Sequence, residues 1–281
     1  MPCFIAASGR AALRAAADAT QRVPIHPEIT FGKCSGRKVP VKSFELIRFN
    51  SADELASAVA TEWLAEITAA SQSGRPHHVA FSGGRIAQKL FACAAEQAKA
   101  SAVAFGLVHF FWADERCVPS GDMESNFRLA QELLLAPLGI PANQIHRVPG
   151  ENPPEIAAAK AEEQIRRLVP LNNAGQPVLN LVLLGMGEDG HVASLFPGEP
   201  EQLRAGEAVY RAVKNSPKPP PNRVTLGYPA IAAADKVWVL VSGAGKESAL
   251  RHSLELSGRT PLAQVLKLRR QTKIFTDVAL R

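Results

Sequence analysis

Leu179-Asn-Leu-Val-Leu-Leu-Gly-Met-Gly-Glu-Asp-Gly-His-Val-Ala-Ser-Leu-Phe-Pro-Gly198 is the stretch that best indicates the fold of this chain. Its apolar run Leu181–Leu184 is typical of a strand covered on both faces, as in a parallel sheet. Glycines follow the run, and ligands bind at the carboxyl ends of strands in open α/β sheets. His191 lies there, two residues from Asp189. The pair is therefore suitably placed for proton transfer near neutral pH.

Length and composition limit the possible classes of protein. The chain has 281 residues, of which 46% are hydrophobic and 21% charged, enough for one large α/β domain or two small ones. No apolar run approaches the roughly 20 residues that span a bilayer, so we expect a soluble, cytoplasmic protein without a membrane partner. The four cysteines are far apart in the sequence. This spacing argues against a disulfide framework or a zinc site and favours a reducing compartment.

The net charge of +6 does not indicate a nucleic-acid partner, because the excess lies at one end of the chain. Residues 1–48 hold eight Lys and Arg against three Asp and Glu, whereas the other 233 residues hold 24 against 23. We therefore expect no nucleic-acid binding by the body of the protein. A local basic pocket for a phosphate group is compatible with this balance.

Residues 1–42 differ in composition from the rest. Met1–Arg22 is rich in Ala and Arg with Asp18 as its one acid, and five Pro and Gly residues then prevent long regular structure. An Arg-rich, acid-poor start is typical of an organelle transit peptide, but a disordered tail or a start extended upstream explains it too. We expect a basic, disordered extension over residues 1–42 and a single catalytic domain over residues 43–281.

From Ser43 onward, predicted strands and helices alternate. Ser51 caps the first helix, and Glu54 completes a capping box. The buried stripe of that helix is formed by Leu55, Val59, Trp63 and Ile67. Strands are predicted at Phe44–Phe49, Val79–Phe81, Val103–Trp112, Leu181–Leu184, Arg223–Leu226 and Val237–Val241. Further helices are predicted to reach Ala100, to run from Ser125 or Asn126 towards Gly139, and to cover Ile156–Leu168 and Glu247–Leu256. This alternation indicates βαβ units, a parallel sheet and right-handed crossovers.

Ser82-Gly83-Gly84 lies between a predicted strand and a predicted helix. Backbone N–H groups at such a turn, together with the positive end of the helix dipole, form an anion site. For these three residues alone an ordinary tight turn is the better explanation, but Arg85 adds a cation beside the loop and favours phosphate binding.

Three further segments place charged residues beside predicted strands. Asp114-Glu115-Arg116 either faces the same crevice as His191 or forms a surface ion-pair cluster. Residues 216–223 are either a polyproline ligand for another domain or a rigid loop that presents Lys218 and Arg223. Residues 243–246 place Lys246 on a glycine-rich turn without the spacing of a P-loop.

Two common kinds of site are not supported by the pattern. Gly185-x-Gly187-x-x-Gly190 has the spacing of a dinucleotide-binding loop, but Pro197-Gly198 leaves no room for the long helix that should follow. His77 and His78 are neighbours on a strand and point to opposite faces, so we expect no metal site. One histidine, several carboxylates and four cations instead suit a small phosphorylated substrate and acid–base chemistry without a metal.

Five segments, in order, resemble the 6-phosphogluconolactonase family. They are Phe81-Ser-Gly-Gly84, Phe111-Trp-Ala-Asp-Glu-Arg-Cys-Val-Pro119 with Glu124-Ser-Asn126, Leu183–Gly198, Pro217-Lys-Pro-Pro-Pro-Asn-Arg223 and Ser242-Gly-Ala-Gly-Lys246. The family belongs to a wider group with glucosamine-6-phosphate deaminases. The resemblance implies a Rossmann-like three-layer α/β/α fold, hydrolysis of a phosphorylated sugar lactone in the oxidative pentose phosphate pathway, and no cofactor. We expect a monomer or weak homo-oligomer.

The resemblance also implies roles for individual residues. His191 is expected to be the catalytic acid/base, Asp189 and Asp114 to line the sugar pocket, and Arg116 to lie beside the reacting end. The expected phosphate-binding residues are Ser82, Gly83, Gly84, Arg223 and Lys246, with Lys218 as a weaker candidate.

The chain departs from the family pattern at two positions. Arg85-Ile86-Ala87 stands where the family usually has Ser or Thr and then Pro, so Arg85 is a candidate replacement for the hydroxyl group in phosphate binding. Asn180 stands where an Asp is usual, which we expect to alter a structural contact rather than the chemistry.

Two alternative functions remain open. Amino-sugar-phosphate deaminases and isomerases of the same fold carry a Glu five residues after the His, where this chain has Phe196. A non-enzymatic sugar-phosphate sensor would usually carry an added DNA-binding domain, and nothing here resembles a helix-turn-helix.

Overall fold

A six-stranded parallel sheet is the centre of the computed structural model, which describes residues 43–201 and 206–280. The strands in these ranges are β1 (Ser43–Arg48), β2 (His77–Phe81), β3 (Val108–Trp112), β4 (Asp114–Arg116), β5 (Leu181–Gly185), β6 (Tyr210–Val213), β7 (Arg223–Leu226), β8 (Lys236–Val241) and β9 (Gln271–Thr276). The central sheet has the order β1-β9-β8-β5-β2-β3, and its five pairings are all parallel. The segment 1–42, for which a disordered extension is predicted, lies outside the described residues.

Helices cover both faces of this sheet. They are α1 (Ala52–Gln72), α2 (Arg85–Ala100), α3 (Asn126–Ala130, continued by a π-helical turn at Gln131–Leu135), α4 (Pro154–Leu168), α5 (Tyr228–Ala233), α6 (Glu247–Leu254) and α7 (Pro261–Leu268). The connections β2–α2–β3 and β8–α6–α7–β9 cross the sheet in opposite directions, so right-handed crossovers place α2 on one face and α6 and α7 on the other. The predicted three-layer α/β fold is confirmed.

Helix α1 illustrates how the sequence specifies these elements. The Ser51 side chain accepts a hydrogen bond from the Glu54 N–H at 3.2 Å, which confirms the predicted cap. The Glu54 carboxylate reaches the N–H of Asn50 at 3.0 Å rather than that of Ser51, so the box closes one residue earlier. The predicted stripe is buried, and Trp63 is fully enclosed against Phe81. Burying one large apolar side chain is worth about 1.5–3 kcal/mol.

The structure contains a second sheet that differs from the expectation. Strands β4, β7 and β6 form a three-stranded antiparallel sheet in the order β4-β7-β6. The prediction of a strand at Arg223–Leu226 is confirmed, but the strand does not belong to the parallel sheet. Asp114–Arg116, expected to follow a strand, forms one itself. The charged groups near His191 therefore come from two sheets.

Ala113 joins the two sheets directly. It is the one residue between β3 and β4. Its N–H donates to the carbonyl of Phe81 in the central sheet at 2.7 Å, and its carbonyl accepts from the N–H of Leu226 in the second sheet at 2.7 Å. Both backbone groups of this residue are thus used to fasten one sheet to the other.

Some boundaries and elements were not predicted correctly from the sequence. The strand predicted at Val103–Trp112 begins at Val108, because α2 runs to Ala100 and residues 101–107 turn the chain. The elements β6, β9, α5 and α7 were not predicted. Strand β9 is an interior strand of the central sheet, between the edge strand β1 and β8, although its first three residues are polar. Within the described ranges, no helix is both long and apolar enough to cross a membrane.

Candidate active site

A cavity of about 380 Å³ lies where the carboxyl ends of β2, β5 and β8 meet the second sheet. Strands of a parallel sheet end on the same edge, so residues far apart in the sequence meet there. The predicted site residues that line this cavity are Ser82, Gly83, Gly84, Arg85, Asp114, Arg116, His191, Lys218, Arg223 and Lys246. Asp189 is the one predicted site residue that is not part of the lining.

Asp189 instead contacts the cavity through His191. Its Oδ1 atom lies 2.5 Å from Nδ1 of the His191 ring and 3.2 Å from the His191 backbone nitrogen. A carboxylate can only accept hydrogen bonds, so Nδ1 of His191 carries the hydrogen. In the neutral ring the lone pair is then on Nε2. This arrangement orients a proton acceptor without placing the carboxylate against a ligand, which differs from the expectation that Asp189 lines the sugar pocket.

The surroundings keep the His191 ring neutral near pH 7. Burial lowers the pKa of His191 below its usual value, Asp189 partly offsets this effect, and the charge of Lys218 lowers the pKa further. Burial alone would raise the pKa of Asp189, but the hydrogen bond and charge of His191 and the charge of Lys218 lower it overall. A charged carboxylate beside a neutral imidazole is the pairing that a general base needs.

Gly187 makes room for this histidine. A Cβ atom at position 187 would lie 2.0 Å from Cε1 and 2.1 Å from Nδ1 of the His191 ring. No larger residue fits without moving the imidazole. Residues 186–198 contain no helix, which confirms that the Gly185-x-Gly187-x-x-Gly190 spacing is not a dinucleotide-binding loop.

The glycine loop after β2 presents free donors to the cavity. Gly84 is the N-cap of α2 with φ +104, a conformation that glycine adopts readily. No side chain caps this helix and its first turn has no acid, so its N–H groups and dipole are available to an anion. The Ser82 hydroxyl is also buried, with no hydrogen-bond partner in the described part of the chain.

Three cations converge beside this loop. The side chains of Arg85, Lys218 and Lys246 make no hydrogen bond or ion pair with any described residue. Burial lowers the pKa of Lys246, and the neighbouring charge of Arg85 lowers it further. Unpaired cations that repel one another favour a bound anion. Lys89 also lines the cavity but is paired with Asp53 at 2.5 Å, and it was not predicted.

The two arginines of the second sheet that line the cavity, Arg116 and Arg223, are already engaged by the protein. Arg223 is buried and donates to the carbonyls of Lys218, Pro219 and Pro220 and to the Ser194 hydroxyl. These bonds use four of its five N–H groups and hold residues 218–220 as a loop, which favours the rigid-loop interpretation over a free polyproline ligand. Arg116 donates to the Glu124 carbonyl at 2.5 Å, and its buried Nε has no partner among the described groups.

Glu115 turns away from the cavity, unlike its two neighbours. Its carboxylate accepts hydrogen bonds from the backbone N–H groups of Arg116, Asn126 and Phe127, each at 2.7 Å, and from the Ser125 hydroxyl at 3.2 Å. It therefore holds the start of α3. Alternation along β4 explains this, because residue 115 faces the side opposite to residues 114 and 116.

Phe196 covers the side of the site next to His191. Its ring is buried, with its centroid 4.9 Å from that of His191. The guanidinium carbon of Arg223 lies 5.6 Å from the same ring centroid. An apolar ring thus occupies the position at which the amino-sugar-phosphate relatives are expected to have an acid.

Asn180 has a structural role, as expected. Its Oδ1 accepts a hydrogen bond from the His78 N–H at 2.8 Å, at the end of β5 opposite to the cavity. No cluster of three or more His, Cys, Asp or Glu side chains suited to a metal ion occurs within residues 43–201 and 206–280.

Known proteins resemble this chain in sequence and in structure. Residues 50–275 match the family described as "Glucosamine-6-phosphate isomerases/6-phosphogluconolactonase". A 6-phosphogluconolactonase from Streptomyces coelicolor is 35% identical over 220 residues, which are 76% of this chain and 84% of the relative. One from Mycobacterium tuberculosis is 41% identical over 170 residues, 59% and 68% of the two chains. The structure of 6-phosphogluconolactonase from Trypanosoma brucei superposes with a TM-score of 0.73 and is 28% identical in sequence. The superposition covers 82% of this chain and 95% of the Trypanosoma brucei chain.

Proposed function

The chain belongs to the family of glucosamine-6-phosphate isomerases and 6-phosphogluconolactonases, and we propose that it hydrolyses 6-phospho-D-glucono-1,5-lactone to 6-phospho-D-gluconate. This reaction belongs to the oxidative pentose phosphate pathway, and the enzyme is a carboxylic ester hydrolase acting on a sugar lactone. The observation that carries the proposal is the oriented Asp189–His191 pair beside a cavity whose lining includes three cations that pair with no described residue.

His191 acts first as a base and then as an acid. Nε2 of the neutral ring takes a proton from a water molecule as the water oxygen bonds to C1 of the lactone. The resulting imidazolium gives that proton to the ring oxygen as the bond between C1 and this oxygen breaks. The product is a carboxylic acid and a free hydroxyl group, and the acid loses its proton to solvent. The reaction uses no cofactor and no metal ion.

Charge develops on the C1 oxygen during the attack. Arg116 lies in the cavity wall, and its Nε has no partner among the described residues. The backbone N–H of Ser82 donates to the Leu183 carbonyl, whereas those of Gly83 and Gly84 donate to no described group. Donors held in place before the reaction stabilise such an oxyanion without reorganising. We assign this role to Arg116 or to the glycine loop.

The phosphate group of the substrate is held at the other end of the cavity. We assign it to the Ser82-Gly83-Gly84 loop, Arg85, Lys218 and Lys246. The assignment is supported by the Ser82 hydroxyl and the three cationic side chains, which have no hydrogen-bond partner among the described residues. Arg223 has one N–H left for the ligand and otherwise shapes the loop that carries Lys218. Binding energy at the phosphate then places C1 beside His191.

The deaminase or isomerase alternative lacks an acid where it needs one. Phe196 packs on His191 at that position, so a ring-opening proton relay has no carboxyl group there. Release of ammonia from glucosamine 6-phosphate by the purified protein would support this alternative over the lactonase. A non-enzymatic sugar-phosphate sensor needs no proton acceptor such as His191. Hydrolysis of the lactone much faster than the spontaneous rate would contradict the sensor alternative.

The test of the proposed function is direct. Lactone generated immediately before use is mixed with the purified protein, and formation of 6-phosphogluconate is followed against the spontaneous rate. We expect acceleration of the hydrolysis in proportion to enzyme concentration. A rate equal to the spontaneous one at all enzyme concentrations contradicts the proposal.

Further proposals concern the organisation of the protein. We propose that residues 43–281 form a single catalytic domain, to which residues 1–42 are an extension. We also propose that the protein works in the cytoplasm as a monomer or weak homo-oligomer without nucleic-acid or membrane partners. Light scattering measures the oligomeric state, and fractionation of cells measures the location. A protein shortened to begin at residue 43 should keep its turnover.

A further inference from the structure

Ser194 connects the loop that carries His191 to the second sheet. The residue is fully buried. Its hydroxyl donates to Oδ2 of Asp114 at 2.8 Å and accepts from Nη1 of Arg223 at 3.4 Å. Its backbone N–H donates to the Thr225 hydroxyl at 3.2 Å. One small side chain therefore contacts a carboxylate of β4 and a guanidinium of β7 at the same time.

With these contacts, only one of the two oxygens of the Asp114 carboxylate accepts a hydrogen bond from a described side chain. Oδ2 is taken by Ser194, whereas Oδ1 is buried and has no hydrogen-bond partner among the residues that the structure describes. Asp114 also lines the cavity. A buried carboxylate oxygen without a donor is unfavourable, and a ligand with a hydroxyl group removes this cost.

The backbone before Ser194 supports this arrangement. Ala193 has φ +49, in the left-handed region that residues other than glycine rarely adopt. This conformation lies between His191, which faces the cavity, and Ser194, which faces Asp114. The turn that aims the catalytic imidazole thus also aims the Ser194 hydroxyl.

We infer that Ser194 is a positioning residue, which holds Oδ2 of Asp114 so that Oδ1 accepts a hydrogen bond from a ring hydroxyl of the sugar lactone. The inference rests on the proposed function and names how that site recognises its substrate. A site built around a buried acceptor discriminates against a substrate that lacks the matching hydroxyl, because the acceptor is then left unpaired. Ser194 therefore acts on specificity through Asp114, without touching the substrate.

The experiment compares substrates and variants together. The kcat/KM of the parent lactone is measured beside that of lactones lacking one ring hydroxyl each, for the wild-type protein, Ser194→Ala, Asp114→Asn and the double variant. We expect the wild type to prefer the parent over at least one deoxy lactone by roughly 10- to 100-fold. In Ser194→Ala and Asp114→Asn this preference should fall to about 3-fold or less.

The double variant separates positioning from a general structural role. If Ser194 acts through Asp114, adding Ser194→Ala to Asp114→Asn changes kcat/KM by less than about 2-fold, since coupled residues are not additive. Thr225→Val is the matched control. It removes another buried partner of Ser194 and leaves the bond between Ser194 and Asp114 in place, so it should keep the wild-type preference.

The outcomes are distinguishable. A wild type that does not hydrolyse the parent lactone overturns the proposed function, and this inference with it. If the wild type is active, two results overturn the inference alone. One is that Ser194→Ala keeps the preference for the parent lactone over the deoxy lactone. The other is that the effects of Ser194→Ala and Asp114→Asn on kcat/KM are additive in the double variant. If Ser194→Ala does not fold, Ser194→Cys replaces it, because a thiol of similar size is a weak donor and should give an intermediate preference. An unchanged preference in that variant also contradicts the inference.

Discussion

Nδ1 of His191 lies 2.5 Å from Oδ1 of Asp189, yet the two side chains open onto different cavities. The imidazole lines the cavity of about 380 Å³ that holds the unpaired cations. Asp189 instead belongs to the lining of a second cavity of about 560 Å³, together with Glu255, Arg259 and Thr260. A ligand can therefore displace water from around His191 while Asp189 remains hydrated and charged.

Replacement of the imidazole should abolish most of the turnover. We expect His191→Ala to lower kcat by roughly 10²–10⁴, because a positioned general base contributes about that factor. The rate of 6-phosphogluconate formation measures the effect. His252→Ala is the control, since His252 is exposed on α6 and outside the substrate cavity, and it should retain full activity. Near-normal kcat in His191→Ala would show that another group carries the proton.

Removal of the charge of Asp189 should change both the rate and its pH dependence. Because Asp189 raises the pKa of His191 against the effect of burial, Asp189→Asn should lower that pKa. His191 must be neutral to act as a base, so the acid limb of the kcat/KM profile should lie below pH 6.5 in the wild type and lower still in the variant. The plateau should fall by roughly 10² or more, because an amide no longer fixes the required tautomer. A limb that moves to higher pH contradicts this electrostatic role.

A single methyl group at Gly187 should displace the histidine. The Cβ of Gly187→Ala would lie 2.0 Å from the His191 ring, and a misplacement of about 1 Å costs roughly 10² in rate. We therefore expect a loss of about that size in kcat. The matched control is Gly106→Ala, where a Cβ meets nothing within 4 Å, and its kinetics should be unchanged. Equal kcat values for the two variants would mean that the ring position is not critical.

Loss of a cation from the phosphate end should act on substrate binding. Lys246→Met should raise KM for the phosphorylated lactone by about 10- to 100-fold, the value of a charge-assisted hydrogen bond. Kinetics with the phosphorylated and the unphosphorylated lactone separate a loss of phosphate binding from a general loss of activity. With the unphosphorylated lactone, Lys246→Met and the wild type should have the same KM. Lys99→Gln, an exposed lysine near the end of α2, is the control. A deficit that is equal for both lactones contradicts phosphate binding by Lys246.

A group of buried histidines should make stability depend on pH. Burial, together with the charges of neighbouring histidines, lowers the pKa of His77, of His78 and of His146 to about 4. The unfolded chain binds these protons near pH 6.5, so the stabilising effect of keeping the rings neutral is present above that pH. It is lost progressively as the pH falls from about 6.5 to about 4.

Urea unfolding at pH 7 and pH 5 measures this dependence. His146→Gln should reduce the difference in unfolding free energy between the two pH values by on the order of 1–2 kcal/mol. His252→Gln removes an exposed histidine and should leave the difference unchanged. If the unfolding free energy of His146→Gln changes between pH 7 and pH 5 as much as that of the wild type, His146 does not contribute to the pH dependence of stability.

Local patterns in the sequence predict much of the central sheet and of the site. Leu181–Leu184 is apolar because both faces of β5 are covered, and the stripe of α1 repeats with the helical period. His191, Lys246 and the glycine loop were identified because the ends of parallel strands share one edge. These features depend on short-range rules, which a single chain displays directly.

The second sheet could not be predicted in this way. Asp114–Arg116 consists of three charged residues, and its extended form comes from pairing with β7, more than 100 residues later. Without the knowledge that β4 is a strand, the sequence does not predict that Glu115 faces the side opposite to Asp114 and Arg116. The hydrogen bond between Ser194 and Asp114 likewise spans 80 positions, so the engagement of Arg223 and Asp114 by the protein is visible only in three dimensions.

The single residue between β3 and β4 also limits how the site can move. Because both backbone groups of Ala113 are bonded, one to Phe81 and one to Leu226, the two walls of the cavity cannot swing apart like hinged lobes without breaking main-chain bonds.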